Sequence, residues 1–530
     1  MRKWLGLALS ALLLFAAGCQ AVQGVDLNEV LKLTTKTIAS ESSAVFELEV
    51  DLSEDVLAEI AAGSEEFAAL VPLFTHVKLE LDEIKVKNAS NLSMSGTLSL
   101  GDIGIGFAMQ MNDSVMAVEL DGASAPIVID LAGLNAQFPQ AGLSAEQQRE
   151  AQELALKFLD PVSDYLVGNM PNVSDISVAL NTPATVGGEE LSLTRVSVRL
   201  DGAELLEWLK QYLEALTADE EGVRTLMQAI ATLAEAQSEL LAESGVPVDV
   251  PFGEDGEMDI ETAVDEWTEM LKMASAAIAI LEITEPETIG SIFNENLTVS
   301  ADLYIDGKLN VRKQDFVVEF RPDAADLAAL AGDDSLAGLN GIRVAYSTEV
   351  WNINGDVEPV APRVPEDGGV TPEEMDEWST AEALRFFGPG SGLYELLANR
   401  LHVGEQVLWF DPEFEDPAPV KAPNGWTLVP LRLTAEAFEA EVLYDPETRN
   451  LILRDDATGN EAVLTVGSSQ VVVNGETVDW VYPVTIMADG LAYVPGRNLM
   501  ETLGGSIAWS SDSDNPMLYL KRNVAELIQP

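Results

Sequence analysis

From residue 27 onward, apolar and polar positions fall into two rhythms. Leu27, Val30, Leu31, Thr34 and Ile38 recur at helical spacing, which predicts an amphipathic helix over Leu27–Ala39. The next stretch, AVFELEVDL (Ala44–Leu52), sets Phe46, Leu48, Val50 and Leu52 against Val45, Glu47, Glu49 and Asp51, the period of a half-buried strand. HVKLELDEIKVKN (His76–Asn88) alternates in the same way, as do NLSMSGTLSL, IGIGFAMQM and SVMAVEL, with Asn- and Gly-containing turns between them. Helical spacing returns over Ser144–Val167. LSLTRVSVRL (Leu191–Leu200) is a strand that runs through Asp201-Gly202 into a helical region ending near Ala242, with a break at Ala218–Glu221. Ile260–Leu281 predicts another amphipathic helix, whose core MLKMASAAIAILEI (Met270–Ile283) carries Lys272 and Glu282 and reads as buried helix rather than membrane span. Strands return in LTVSADLYIDGKLNV, DFVVEF and IRVAYSTEVWNIN (Ile342–Asn354). Strands with one apolar face need helices or a ligand to cover it. The element order predicts an α+β region over 19–354, an antiparallel sheet with helical insertions. Either the helices fill the concave face as core, or the sheet forms a half-barrel around a ligand.

The rhythm stops at GDVEPVAPRVPEDGGVTPEEMDE (Gly355–Glu377), where Pro, Gly and acidic residues give the composition of a stiff, self-repelling linker. A helical piece at Ser379–Leu401, interrupted by GPGSG, and a second Pro-rich joint at Asp411–Pro423 complete a linker assigned to 355–419. Beyond it the chain repeats itself. Asn424–Asp445 aligns without a gap with Asp489–Ser510 at an offset of 65, matching Gly425 with Gly490, Val429 with Val494, Pro430 with Pro495, Arg432 with Arg497, Glu436 with Glu501 and Tyr444 with Trp509. A fixed offset marks a duplicated supersecondary unit: turn, short strand, Val-Pro, helix and a strand beginning near the aromatic residue. Between the copies, two strands flank an Asn474-Gly475 hairpin turn.

This pattern resembles the copper amine oxidase-like N-terminal domain, or stalk domain, common on secreted and surface proteins of monoderm bacteria. The residues that carry the resemblance are Gly425, VPLR (Val429–Arg432), AEAF (Ala435–Phe438), VLYD (Val442–Asp445) and VNGETV (Val473–Val478), within 420–522. The second copy departs from the pattern with VPGR (Val494–Arg497) and with Ser510 in place of the Asp. The resemblance implies an accessory, surface-displayed structural or binding module. It implies no copper, because in the oxidases metal and quinone belong to a separate catalytic domain. In architecture alone, the region before the linker is similar to the half-barrel of lipoprotein and lipid carriers, which implies a carrier of an apolar ligand as the alternative function.

The opening MRKWLGLALSALLLFAAGCQ has a charged start, an apolar run too short for a comfortable span, and small residues before Cys19, the only cysteine in the chain. AAGC resembles the lipobox of bacterial lipoproteins. That implies a signal peptide at 1–18, lipidation of Cys19, and a protein held at the extracytoplasmic face of the cell membrane. Without residues 1–18 the chain has 27 basic and 89 acidic residues, a net charge of −62. That balance excludes nucleic acid as a partner and favours diffuse binding of divalent cations. A wall polymer or another surface protein is the expected partner besides the membrane.

Candidate chemistry is sparse. Only His76 and His402 carry imidazoles, far apart in sequence, and Cys19 is committed to lipid, so no metal-ligand set and no cofactor is expected. No nucleophile elbow or phosphate-cradling loop occurs, IGIGF (Ile103–Phe107) lacks the following helix of a dinucleotide site, and no catalytic residue is assigned. The acidic loops Gly253–Glu261 and Ser511–Asn515 partly match calcium loops without completing an EF-hand. Arg432 and Arg497 read as caps or ion-pair partners at the repeated turn. The expectation is a non-enzymatic, lipid-anchored surface protein.

Overall fold

A computed structural model describes residues 27–131, 145–243, 259–331, 338–411, 417–510 and 516–528. Cys19, the loop Ser511–Asn515 and most of Gly253–Glu261 lie outside the described residues. The chain divides into two compact units, residues 1–118 with 128–364 and residues 119–127 with 365–530. The fold is α+β, as the two rhythms predict, built on antiparallel ladders.

One sheet of eleven strands organises the first unit: β1 (Ser40–Leu52), β2 (His76–Asn88), β3 (Asn91–Leu100), β4 (Ile103–Met111), β5 (Val115–Leu120), β6 (Ile127–Asp130), β7 (Asp175–Val186), β8 (Glu189–Asp201), β9 (Leu297–Ile305), β10 (Val311–Phe320) and β11 (Leu339–Trp351). The order is β6-β5-β4-β3-β2-β1-β11-β10-β9-β8-β7, two meanders joined where the first strand pairs with the last. Register then decides the chemistry of each face, because directly paired residues point the same way. One row runs Ile105, Leu98, Leu79, Phe46, Tyr346, Phe316, Ala301, Val198 and Ile176, apolar across nine strands. The opposite face is polar and carries Arg343–Glu47, Lys313–Glu349 and Arg195–Asp302 ion pairs at 3.0, 3.1 and 2.8 Å.

Helices cover the apolar face over β7–β10. Val167, Met170, Leu205 and Trp208 pack on Val198, Leu200, Val299, Ala301 and Phe316, and the helix Leu27–Thr34 buries Leu27 and Val30 against Val196, Leu303 and Ile305. The Asp201-Gly202 turn starts its helix through a capping box, with Asp201 Oδ1 accepting from Glu204 N–H at 2.9 Å and Glu204 accepting from Asp201 N–H. The expected break separates helices Gly202–Ala218 and Glu220–Glu243. Tyr165, Leu216, Val223, Leu226, Val264 and Leu271 form a further layer between helices, where burial pushes the Tyr165 and Tyr212 phenols above their ordinary pKa. Helix Ile260–Thr284 differs from its expectation as a buried helix. Val264 and Leu271 face inward, but Met273, Ile280 and Ile283 are 63, 57 and 80 % exposed, because only one stripe of the helix meets its neighbours. Among the described residues no helix is long and apolar enough to cross a membrane.

The second unit holds β12 (Glu405–Phe410), β13 (Val420–Lys421), β14 (Thr427–Pro430), β15 (Glu441–Asp445), β16 (Asn450–Asp455), β17 (Asn460–Thr465), β18 (Gln470–Val473), β19 (Glu476–Asp479), β20 (Thr485–Ile486), β21 (Ala492–Pro495), β22 (Ser506–Trp509) and β23 (Leu518–Asn523). The stretch expected as a linker, 355–419, differs from that reading. Its first part, to Val364, groups with the first unit, where Val357 is buried and Val360 N–H donates to Ser93 Oγ at 3.0 Å. The remainder is built into the second unit. Helix Thr380–Phe387 buries Ala381 and Leu384 with Tyr394, Ala457 and Val524, and β12 pairs with β23 from Glu405↔Asn523 to Phe410↔Leu518. The helical piece expected from Ser379 is present as this short helix, which Ser379 and Glu382 close with a capping box, but it is packed core rather than linker.

Two glycines test the sheet packing. A Cβ at Gly96 of β3 would lie 2.0 Å from the Glu80 carbonyl oxygen, whereas one at Gly63, at the end of helix Glu54–Gly63, would meet nothing within 4 Å. Gly96→Ala is expected to lower unfolding free energy by about 1–3 kcal/mol, and Gly63→Ala to raise it by roughly 0.5 kcal/mol. Urea denaturation of the two variants, followed by circular dichroism, reads the opposite signs.

Candidate functional site

Two features of the described residues are suited to binding, one in each unit. In the first unit it is the apolar face itself. On β9 the inward residues Leu297, Val299, Ala301, Leu303 and Ile305 are all buried. Along the same rows Ala44, Phe46, Leu48 and Val50 of β1, Leu79 and Leu81 of β2, and Met94 and Leu98 of β3 are only half-buried. The helices that fill the face over β7–β10 do not bury it to the same degree over β1–β3. Beside it, helices Glu54–Gly63 and Glu65–Thr75 enclose a cleft of about 320 Å³ between Leu57, Ile60, Ala68, Val71 and Pro72. They leave Phe67 and Phe74 58 and 66 % exposed. A second cleft of about 370 Å³ mixes Leu52 and Leu57 with Glu49, Glu319, Arg321 and Arg343. The apolar walls of the first cleft suit an apolar ligand, whereas the second is as polar as it is apolar.

In the second unit the duplication is visible as a local two-fold axis. Val429 pairs with Val494, Leu428 with Pro495 and Pro430 with Tyr493, so the two Val-Pro strands cross at equivalent residues. The outer strands follow the same symmetry, β13 on β14 and β20 on β21. Each turn is closed identically: Gly425 and Gly490 have φ of 88° and 83°, a conformation glycine takes without strain, and their N–H groups donate to the carbonyls of Ala422 and Met487. Each copy continues through a helix, Leu431–Ala437 or Gly496–Thr502, into β15 or β22 and an antiparallel sheet, five-stranded β15-β16-β17-β18-β19 for the first and three-stranded β22-β23-β12 for the second. Where copy one closes the turn after β15 with Asp445, copy two uses Ser510, which exchanges hydrogen bonds with Met517 at 2.7 and 3.0 Å. The Asp445 carboxyl is held below its ordinary pKa by the Thr448 hydroxyl and then the Glu447 N–H.

One ion pair lies where the copies meet. Arg522 and Asp455 are 2.7 Å apart with both side chains 1 % exposed. Arg522 also donates to the carbonyl of Phe438, at the end of the first repeat helix, and at 3.3 Å to that of Leu503, its counterpart in the second. Its Nε donates to Gln406 on β12 at 2.7 Å. Nothing in the sequence pattern singled out this arginine, which sits among apolar strand residues in MLYLKRN.

Of the residues selected from sequence, His76 opens β2 with Nδ1 3.4 Å from Thr75 Oγ1, and His402 lies in the other unit with Nδ1 3.4 Å from Glu405 Oε1. Among the described residues no three His, Cys, Asp or Glu side chains converge to hold a metal. Arg432 pairs with Glu436 at 3.3 Å, whereas Arg497 lies over the Trp426 ring at 5.5 Å.

The second unit therefore defines a duplicated α+β module. Residues 410–518 match the family described as Copper amine oxidase N-terminal domain, about a fifth of the chain. No curated protein matches the chain. The match begins at Phe410, the last residue of β12, which pairs with β23 and so closes the ladder of the second copy.

Calorimetric titration with copper(II) is expected to give no saturable site of sub-micromolar affinity, since two separated imidazoles offer too few nitrogen ligands. Calcium is expected to raise the melting temperature gradually without a stoichiometric end point, as high monovalent salt would by screening the self-repulsion of a chain of charge −60.

Proposed function

We propose that this is a lipid-anchored, extracytoplasmic binding protein with no catalysis of its own, working at the cell envelope. The duplicated module at 410–518, which matches an accessory domain rather than a catalytic one, is the observation that carries this reading. In this proposal 1–18 is a signal peptide, Cys19 carries the lipid, and the units before and after the Pro-rich segment at 355–364 are the working domains. A strongly acidic body is repelled by anionic lipid, so a covalent anchor is what would keep it at the surface. A wall polymer or another surface protein is the proposed partner.

Cys19→Ser is expected to move the protein from the membrane fraction into the medium or to leave unprocessed precursor. Cell fractionation with intact mass of the wild-type chain checks it. Unchanged partitioning together with an unmodified wild-type thiol contradicts the anchor.

A second reading, carriage of an apolar ligand by the first unit, is favoured by the half-buried rows on β1–β3. A face that helices filled completely would need no ligand, whereas partly exposed Phe46, Leu79 and Leu98 retain an incentive to bury apolar surface. Native mass spectrometry of protein extracted from its own membrane is expected to reveal a non-covalent lipid adduct, reduced several-fold in Phe46→Glu. An adduct-free spectrum for the wild type would leave the structural role alone.

A further inference from the structure

The two repeats present equivalent surfaces beside their helices, and the side chains on them differ. Beside the second repeat helix, Gly496–Thr502, that surface carries two indole rings of the unit itself, half-buried Trp426 and Trp509, 39 % exposed. Trp426 lies beneath the Arg497 guanidinium, 5.5 Å from it. Trp509 Nε1–H donates to Thr427 Oγ1 at 3.4 Å, and Lys421 Nζ lies 5.7 Å from the Trp509 ring. Displaced by 65 residues, and exchanged between the copies because β14 and β21 pair across them, the counterparts beside the first repeat helix are Leu491 for Trp426, Arg432 for Arg497, Tyr444 for Trp509, Ala492 for Thr427 and Ile486 for Lys421. Every one of these replacements except the arginine removes bulk, a hydrogen bond or a cation. What remains is a groove of about 560 Å³ lined by those five residues and by Leu431, Leu433, Val442, Leu451 and Val466. Tyr444, Ile486 and Leu491 are 57, 47 and 43 % exposed along it.

We propose that the groove beside the first repeat helix is a docking site for an aromatic side chain presented by a basic peptide segment of another protein, seated as Trp426 sits beside the second. The ring would lie between the Arg432 guanidinium and the apolar floor, the arrangement made intramolecularly beside the second repeat helix. Arg432 presents its guanidinium there with its side chain 59 % exposed, held at 3.3 Å by Glu436 one turn on in the same helix. The charge of the partner is taken from the surroundings: Arg432 and Glu436, the charged lining residues, offset each other, and exposed Asp489, next to Gly490 of the lining, and Glu447, three residues beyond Tyr444, add negative charge on a chain of net charge −60. Basic residues flanking the ring complement those carboxylates, and an acidic segment is repelled. This deepens the binding reading above and rests on it, but its test is separate, because anchoring and lipid retention are read from Cys19 and from the first unit.

The probe is acetyl-Lys-Trp-Lys-amide, with acetyl-Lys-Ala-Lys-amide as control, titrated calorimetrically into the full-length protein in detergent. The tryptophan peptide is expected to bind saturably, more weakly as salt is raised, and the alanine peptide not to bind. Leu491→Trp, which places beside the first repeat helix the indole that lies beside the second, and Leu433→Lys, which sets a like charge against the basic peptide, should each weaken binding by about tenfold or more. Asn498→Lys, the same charge at the position equivalent to Leu433 beside the second repeat helix, should leave it unaltered, and circular dichroism establishes that the variants are folded. Absence of saturable tryptophan-peptide binding, equal binding of the alanine peptide, or undiminished binding to Leu491→Trp overturns the proposal. So does retention on insoluble wall glycan that Leu491→Trp abolishes while neither peptide binds, which would make the groove a sugar site.

Discussion

The second unit depends on one buried guanidinium. Arg522 is a cation removed from water, and that is tolerable only because its donors are met: Asp455 on the strand that follows copy one, Gln406 on β12, and the carbonyls that end both repeat helices. The Phe438 and Leu503 carbonyls are equivalent under the 65-residue shift, so the guanidinium lies close to the local two-fold axis and joins the copies there. A lysine could not do this, since a single ammonium lacks the planar fork that reaches several fixed acceptors at once. Asp455 is organised in turn by Thr458, whose N–H donates to it at 3.1 Å. With the helix ends fixed, Val429 and Val494 meet at the axis fully buried.

The first unit is held by a different constraint, continuity of register. Its polar face has ion pairs, but they are a quarter to two-fifths exposed and contribute little each. What unifies the sheet is the pairing of β1 with β11, which carries apolar rows from one meander into the other without changing face. The contrast bears on function. The second unit spends its apolar surface on a closed core and keeps one groove open, while the first leaves part of a broad face half-covered. Two kinds of contact are therefore available to one chain: a broad apolar one suited to acyl chains, and a narrow one suited to a single ring.

Much of this architecture was legible in the sequence. Alternation located β1, β2 and β3 within a few residues, and Asp201-Gly202 announced its helix because a capping box is a local interaction. The repeat was visible because Gly, Val-Pro and Arg recur where backbone geometry demands them. Three things were hidden, each for a physical reason. The docking of the expected helical piece, as helix Thr380–Phe387, and strand β12 were hidden in a segment rich in acids and prolines, and their partners, Ala457 and Val524 for the helix and β23 for the strand, are distant in sequence. The outward side of helix Ile260–Thr284 is as apolar as a core helix, and only tertiary contacts decide which stripe is buried. Arg522 carries no local signature, since its acceptors come from four separate segments. The Arg497–Trp426 contact was likewise missed: the alignment showed that Arg432 and Arg497 are equivalent, but their different partners follow from Leu491 and Trp426, positions that do not match.

The claim on which the rest stands is that Arg522 and Asp455 lock the two copies into one body. A double-mutant cycle of Arg522→Met, Asp455→Leu and the pair tests it most directly, with unfolding assigned to the second unit by hydrogen exchange at Leu453, Val494 and Leu520. Each single substitution is predicted to cost about 3–5 kcal/mol by stranding a buried charge or its acceptors, and the double variant to cost much less than their sum. Additive effects, or a loss below about 1 kcal/mol for Arg522→Met, would contradict it.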